Sequence, residues 1–165
     1  MVLWPNQVEP EVHPFDGRIG NPGLPAQALG QLMDWVLSRH DVVLCIRARA
    51  GEQTPVMPVD PRIVLTGQDW PLAPLLHAAD MVVTLSSTVG LEGHLAGCRL
   101  VQVLGSVFDA AMPLVSYGIA DEAVSLMPDQ PFLQVLNRWV MAPRRAKQHP
   151  LPATAQVLDV IAGLL

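Results

Sequence analysis

Asp80-Met-Val-Val-Thr-Leu-Ser-Ser-Thr-Val-Gly-Leu-Glu-Gly-His-Leu-Ala-Gly-Cys98 is the stretch on which the fold turns. Asp80 to Leu85 opens as a nearly unbroken apolar run, the pattern of a strand covered on both faces. Three hydroxyl residues follow, Ser86, Ser87 and Thr88, and then a short helix to about Ala96 closed by Gly97. Gly90 and Gly93 fall in the first turns of that helix, where each costs about 1 kcal/mol against alanine. Glycine is expected there when a strand or a ligand approaches the backbone closely.

Outward from this stretch, β-rich runs alternate with helical periodicity. Before it, Val2-Leu3-Trp4 reads as a first strand, and Pro5 to Gly23, with three glycines, reads as a long loop. Leu24, Ala28, Leu32 and Trp35 recur at helical spacing to about Arg39. Asp41 to Arg47 and Arg62 to Thr66 are two further strands, and Pro71 to Ala79 carries proline at a helix start. After it, Arg99 to Leu104 is a fourth buried strand. Asp109 to Tyr117 reads as a helix stopped by Gly118, with Asp109 as its cap, and Ala123 to Leu126 as a last strand. Two closing helices are expected, about Pro131 to Met141 and Ala153 to Leu164. Strands alternating with helices at this spacing predict an open, doubly wound parallel α/β sheet in three layers, with right-handed crossovers.

Composition agrees. The 165 residues suit a single domain, half of them are hydrophobic, and only 15% are charged. Mean hydropathy is +0.32. The net charge of −5, with nine arginines and Lys147 as the only basic groups, gives no general footprint for nucleic acid. Cys45 and Cys98 show no paired spacing and read as buried, reduced thiols. No HxH or HExxH spacing occurs among the five histidines, so no metal site and no cofactor are expected. The amino terminus lacks the features of a signal peptide, and no apolar run reaches the roughly 18–20 residues of a membrane span. A soluble, cytoplasmic chain is the expectation.

In doubly wound sheets ligands bind beyond the carboxyl ends of the strands. The hydroxyl turn lies at such an end and opens a helix, whose unpaired N–H groups and positive dipole suit phosphate oxygens. Glu92, one helical turn past Thr88, could accept hydrogen bonds from the two vicinal hydroxyls of a ribose. The plainer alternative is that Ser87 or Thr88 caps the helix and Glu92 is a surface charge. Arg47 and Arg49 follow the second strand on the ligand side, where an arginine could neutralise a diphosphate or simply be a loop residue. His13, in the first loop, is a candidate acid/base on location alone. Arg144, Arg145 and Lys147 form a basic cluster that reads as a solvated turn, with weak contact to anionic lipid as the other possibility. A serine-hydrolase elbow is absent, since Gly-x-Ser-x-Gly does not occur, and Gly17, Gly20 and Gly23 have the wrong spacing for a dinucleotide fingerprint.

The pattern from Ala79 to Gly97 resembles the nucleotide-sugar-binding half of GT-B fold glycosyltransferases, and with them the UDP-N-acetylglucosamine 2-epimerases and capsular polysaccharide transferases. Those families end a strand in Ser, Thr or Gly and follow it with a helix bearing an acid and a closing glycine. The likeness is strongest from Leu75 to Gly105. It implies that Ser87 and Thr88, with the Val89 and Gly90 backbone, grip the diphosphate, beside the further hydroxyl of Ser86, that Glu92 holds the ribose, and that Thr66 and Gly67 lie near the base. Arg47 joins that expected set. Gly93 stands where the families have a small alanine, and Arg99-Leu100 where they have a Lys/Val-Pro pair. The resemblance further implies a donor-binding domain, most readily for a UDP-sugar in bacterial surface polysaccharide synthesis, that needs an N-terminal domain or partner subunit to catalyse transfer. An epimerase half, or a non-catalytic interaction domain that keeps the fold, are the alternatives.

Overall fold

The computed structural model describes residues 1–49, 51, 55–127 and 132–145. Within them lie six short strands: β1 (Val2–Pro5), β2 (Leu44–Arg47), β3 (Ile63–Thr66), β4 (Met81–Thr84), β5 (Arg99–Val103) and β6 (Glu122–Val124). Four helices accompany them: α1 (Leu24–Leu37), α2 (Leu72–Ala78), α3 (Thr88–Leu95) and α4 (Phe132–Val140). The strands form one sheet in the order β3-β2-β1-β4-β5-β6, and every pairing is parallel. That order is the doubly wound, Rossmann-like arrangement.

Alternation along the strands builds two cores. Val2 and Trp4, Leu44 and Ile46, Met81 and Val83 face α1 and α4, where Leu32, Val36 and Leu136 are fully buried. Their neighbours Leu3, Cys45, Val82 and Leu100 face the other way, onto Leu75 and Leu76 of α2 and the inner side of α3. Strands buried on both faces explain why the sequence reads as continuous apolar runs there rather than as alternation. Both thiols are buried and free, and burial pushes each up from its ordinary value; Cys98 Sγ donates to the carbonyls of Leu76 and Ala79.

The two glycines of α3 serve packing against the sheet. A Cβ on Gly93 would stand 2.8 Å from Val82 Cγ2, and one on Gly90 would stand 3.1 Å from Thr84 Cγ2. Of the two reasons for glycine here, close approach of a strand is the one realised. This also accounts for Gly93 where a methyl group would otherwise be expected.

One expected helix is absent. Asp109 to Tyr117 is a run of turns, not a helix. Pro113 has no N–H to donate and disfavours helical backbone at Met112, so an apolar spacing that suits a helix cannot propagate. The turns are held instead by Gln102 of β5, almost wholly buried, whose Nε2 donates to Met112 O at 2.9 Å and whose Oε1 accepts from Leu114 N at 3.0 Å. Asp109 therefore caps no helix; its Oδ2 accepts from Gly105 N at 2.7 Å. β2 also starts later than its apolar run, at Leu44, because Asp41 is held by Arg39 in two hydrogen bonds outside the sheet. The expected helix from Ala153 to Leu164 lies outside the described residues.

Arg144 and Arg145 do not form a solvated turn. Arg144 donates to the carbonyls of Leu76 and Ala79 and lies 3.7 Å from Asp80, while Arg145 pairs at 2.7 Å with Asp121, a carboxylate only 4% exposed. Asp121 also meets Arg99 at 3.0 Å. The buried acid draws Arg145 inward and the carbonyls of Leu76 and Ala79 draw Arg144, which leaves neither arginine presented to a lipid surface. No helix among the described residues is long and apolar enough to cross a membrane.

Candidate functional site

The sheet changes direction of winding between β1 and β4, and the register shows the consequence. β1 and β4 pair only through Val2–Met81 and Leu3–Val82, whereas β1–β2 and β4–β5 continue for four positions. Past Leu3 and Val82 the two strands part. A crevice at such a switch point, outside the carboxyl ends of the strands, is the general ligand position in this architecture.

A cavity of about 500 Å³ occupies that place. One wall is the turn from β4 into α3, formed by Ser86, Ser87 and Thr88. Asn6, Gln7 and Val8, which leave β1, form the second, and Phe108 and Met112 close the far side with apolar surface. Arg49, beyond the end of β2, brings a guanidinium to the rim. A second cleft of about 180 Å³ adjoins it, framed by Arg47, Gln68 and Val89. Asn6, Arg49 and Ser87 border both.

Hydrogen bonding within the turn decides which donors remain for a ligand. Ser87 is the N-cap of α3, its Oγ accepting from Val89 N at 3.2 Å. Its own N–H donates to Thr84 Oγ1, and the Ser86 N–H donates to Gln7 Oε1 at 3.0 Å. Among the described residues, the hydroxyls of Ser86 and Thr88, the Thr88 N–H and the Arg49 guanidinium make no bond within the protein. These unspent donors, all facing one crevice at the positive end of a helix, can hold an anion. The acidic side chains Glu9 and Asp109 lie behind the far wall, not in it. Glu9 is 4% exposed and accepts from Ser106 Oγ at 2.8 Å and from Val107 N at 2.6 Å, which ties the first loop to the Phe108 side of the cavity. No group of three or more His, Cys, Asp or Glu suited to a metal ion occurs among the described residues.

Comparison with known proteins adds the following. No family model matches the chain, and no curated protein does. A solved structure described as the glycotransferase of kitacinnamycin is similar, at 20% identity and a TM-score of 0.48, over 97% of this chain and 37% of that one. The chain thus spans little more than a third of that protein's length.

The site brings together part of the expected set. Ser86, Ser87 and Thr88 line the larger cavity, and Arg47 and Val89 the smaller. Arg47 is partly engaged, its Nη1 donating to Trp70 O at 2.6 Å. The remaining residues stand apart. Gly90 is packed against the sheet. Glu92 is exposed and borders neither cavity. Thr66 is 2% exposed, its hydroxyl donating to Ile46 O at 3.3 Å, and Asp69 folds over Gly67, so that Gln68 is the residue of that loop at the cleft. His13 is 8% exposed, with Nδ1 2.8 Å from Asp16 Oδ1 and its ring 5.2 Å from that of Phe108, one layer behind the cavity.

Asn6, Gln7, Val8, Phe108 and Met112 are site residues that motif reading passes over. One signal was available for the first three, since they directly follow the first strand, whose carboxyl end is one side of any switch point. Phe108 lies in the Gly105 to Asp109 loop past the fourth strand, where ligand contacts are expected in such a sheet, whereas nothing local marks Met112, because Asp109 to Tyr117 reads as a helix.

Proposed function

We propose that the chain binds a nucleoside-diphosphate sugar, most readily a UDP-sugar, and acts as the donor-binding domain of a glycosyltransferase in surface polysaccharide synthesis. The observation that carries this reading is the pair of adjoining clefts that share Arg49, Asn6 and Ser87 at the start of α3. A ligand with an anionic centre and a neutral group on either side suits that division. The diphosphate would meet the Ser86 and Thr88 hydroxyls, the Thr88 N–H and Arg49. One flanking group would enter the smaller cleft near Arg47, Gln68 and Val89, and the other the larger cavity, against Phe108 and Met112. In transfer, negative charge develops on the leaving diphosphate as the sugar–oxygen bond breaks, and fixed N–H and guanidinium donors stabilise it without reorganising. The acceptor and a catalytic base would come from an N-terminal domain or a partner subunit.

Glu92 borders neither cleft, so Arg49 carries more of the binding in this arrangement. Thermal denaturation with UDP, CDP and GDP tests the reading. At least one is expected to raise the melting temperature in a concentration-dependent way. Arg49→Ala should abolish most of that rise while leaving the ligand-free melting temperature unchanged, and Glu92→Ala should remove less. If no nucleoside diphosphate shifts the wild type, the donor-site reading fails. The fold would then serve interaction, which the nearly full exposure of Phe15 (90%) and Ile19 (81%) on the first loop would favour.

A further inference from the structure

We infer that Gln7 is the positioning residue of the crevice, and that it decides which backbone donor an anionic ligand meets; this rests on the diphosphate reading above. The two halves of the sheet part after Leu3 and Val82. One side chain spans the gap. Gln7 Nε2 donates to Thr84 Oγ1 at 3.0 Å and to Pro5 O at 3.3 Å, and Gln7 Oε1 accepts from Ser86 N at 3.0 Å. Residues 79 positions apart are thereby joined at the floor of the cavity.

The chemistry of the primary amide is what the place requires. It presents a donor and an acceptor side by side on a neutral group. The donor end satisfies a hydroxyl that is fully buried, Thr84, which also accepts from Ser87 N. The acceptor end withholds the Ser86 N–H from the ligand. With Ser87 N and Val89 N also spent, the turn presents Thr88 N–H and two hydroxyls in a fixed arrangement. A carboxylate at this position could still accept from Ser86, but it would lose the donor to Pro5 O and place a negative charge in the floor of an anion site. Alanine would free Ser86 and let the turn relax.

Two measurements on the full chain test this. Amide hydrogen exchange without ligand should show Ser86 protected in the wild type and at least about tenfold less protected in Gln7→Ala, with β2 and β5 unchanged. Calorimetric titration with inorganic pyrophosphate and with UDP should show both bound about tenfold more weakly by Gln7→Ala, and more weakly still by Gln7→Glu. Gln7→Glu should keep Ser86 protected, so that its loss of affinity cannot be ascribed to a disordered turn. Wild-type affinity in Gln7→Ala, or an unchanged Ser86 exchange rate, overturns the positioning role alone. Failure of the wild type to bind either probe overturns the diphosphate reading and this role with it. In that case Ser86 protection would still report whether the amide bridge exists.

Discussion

Single polar groups behind the cavity wall are set by burial together with the hydrogen bonds they find there. Asp109 is the clearest example. Its Oδ2 holds Gly105 N–H, while its Oδ1 is buried with no hydrogen-bond partner among the described residues. Burial pushes this carboxyl above its ordinary value of 3.8; the Gly105 N–H opposes the shift, and the nearby Glu9 charge adds to it. Below that ordinary value the folded and unfolded chains both hold the proton, and the group is neutral in its effect. As pH rises past it, the unfolded chain releases its proton first, so stability falls until the folded carboxyl has also ionised. Asp109→Asn keeps an acceptor for Gly105 and removes the buried charge. It should therefore melt higher than the wild type, by a margin that grows as pH rises above about 4. A pH-independent difference in thermal melts would show that the residue acts by packing and not by charge.

At the scale of elements, β4 and α3 were the most legible part of the chain, and the segment after β5 the least. Met81 to Thr84 could be read because a strand covered on both sides has no polar position to confuse the pattern. Ser87 could be read as a cap because hydroxyls before a helix satisfy its free N–H groups, and it does so. Asp109 to Tyr117 misled because its apolar residues recur at a helical interval, while Pro113 vetoes the hydrogen bonds that the interval requires. What replaces the helix is a buried glutamine on a strand, and no local pattern announces that. Gln102→Leu would keep the volume of that side chain and remove its two hydrogen bonds, leaving Leu114 N and Met112 O with the 2.9 Å bond they make to each other. Each lost bond is worth about 0.5–1.5 kcal/mol, so urea denaturation should show a loss of about 1–3 kcal/mol. Because Met112 lines the cavity, ligand affinity should fall in the same variant. Asn6 and Gln7 are marked only by following the first strand, as polar loop residues acquire a specific role only once β1 and β4 become neighbours.

For the whole molecule, the two ends of the strands do different work. At the carboxyl ends donors are left unspent, and the sheet opens. At the amino ends charges are paired and buried: Asp121 is shared by Arg99 and Arg145, and Arg144 reaches across to α2 and β4. The segment after α4 thus straps the end of the sheet opposite the candidate site. Removing one partner of a buried carboxylate leaves its charge less compensated, although Arg99 remains. Arg145→Ala should lower stability by about 1–3 kcal/mol in chemical denaturation and leave nucleotide affinity at the wild-type level. A matching drop in affinity would mean that the two ends communicate.

The short pairing of β1 with β4 has a mechanical corollary. Everything on one side of that seam belongs to an unbroken run of chain from β1 to β3, and everything on the other to a run from β4 to β6. The protein is two leaves of a book whose strand spine is only two residues deep on each side, with Gln7, Glu9 and the Trp35–Asn137 pair as further stitches. Any guest that grips Asn6 and Arg49 on one leaf and Ser86 and Thr88 on the other acts as a clasp across the open edge. Occupancy then adds one more fastening to those the empty protein already carries, at the edge where the strands themselves contribute none.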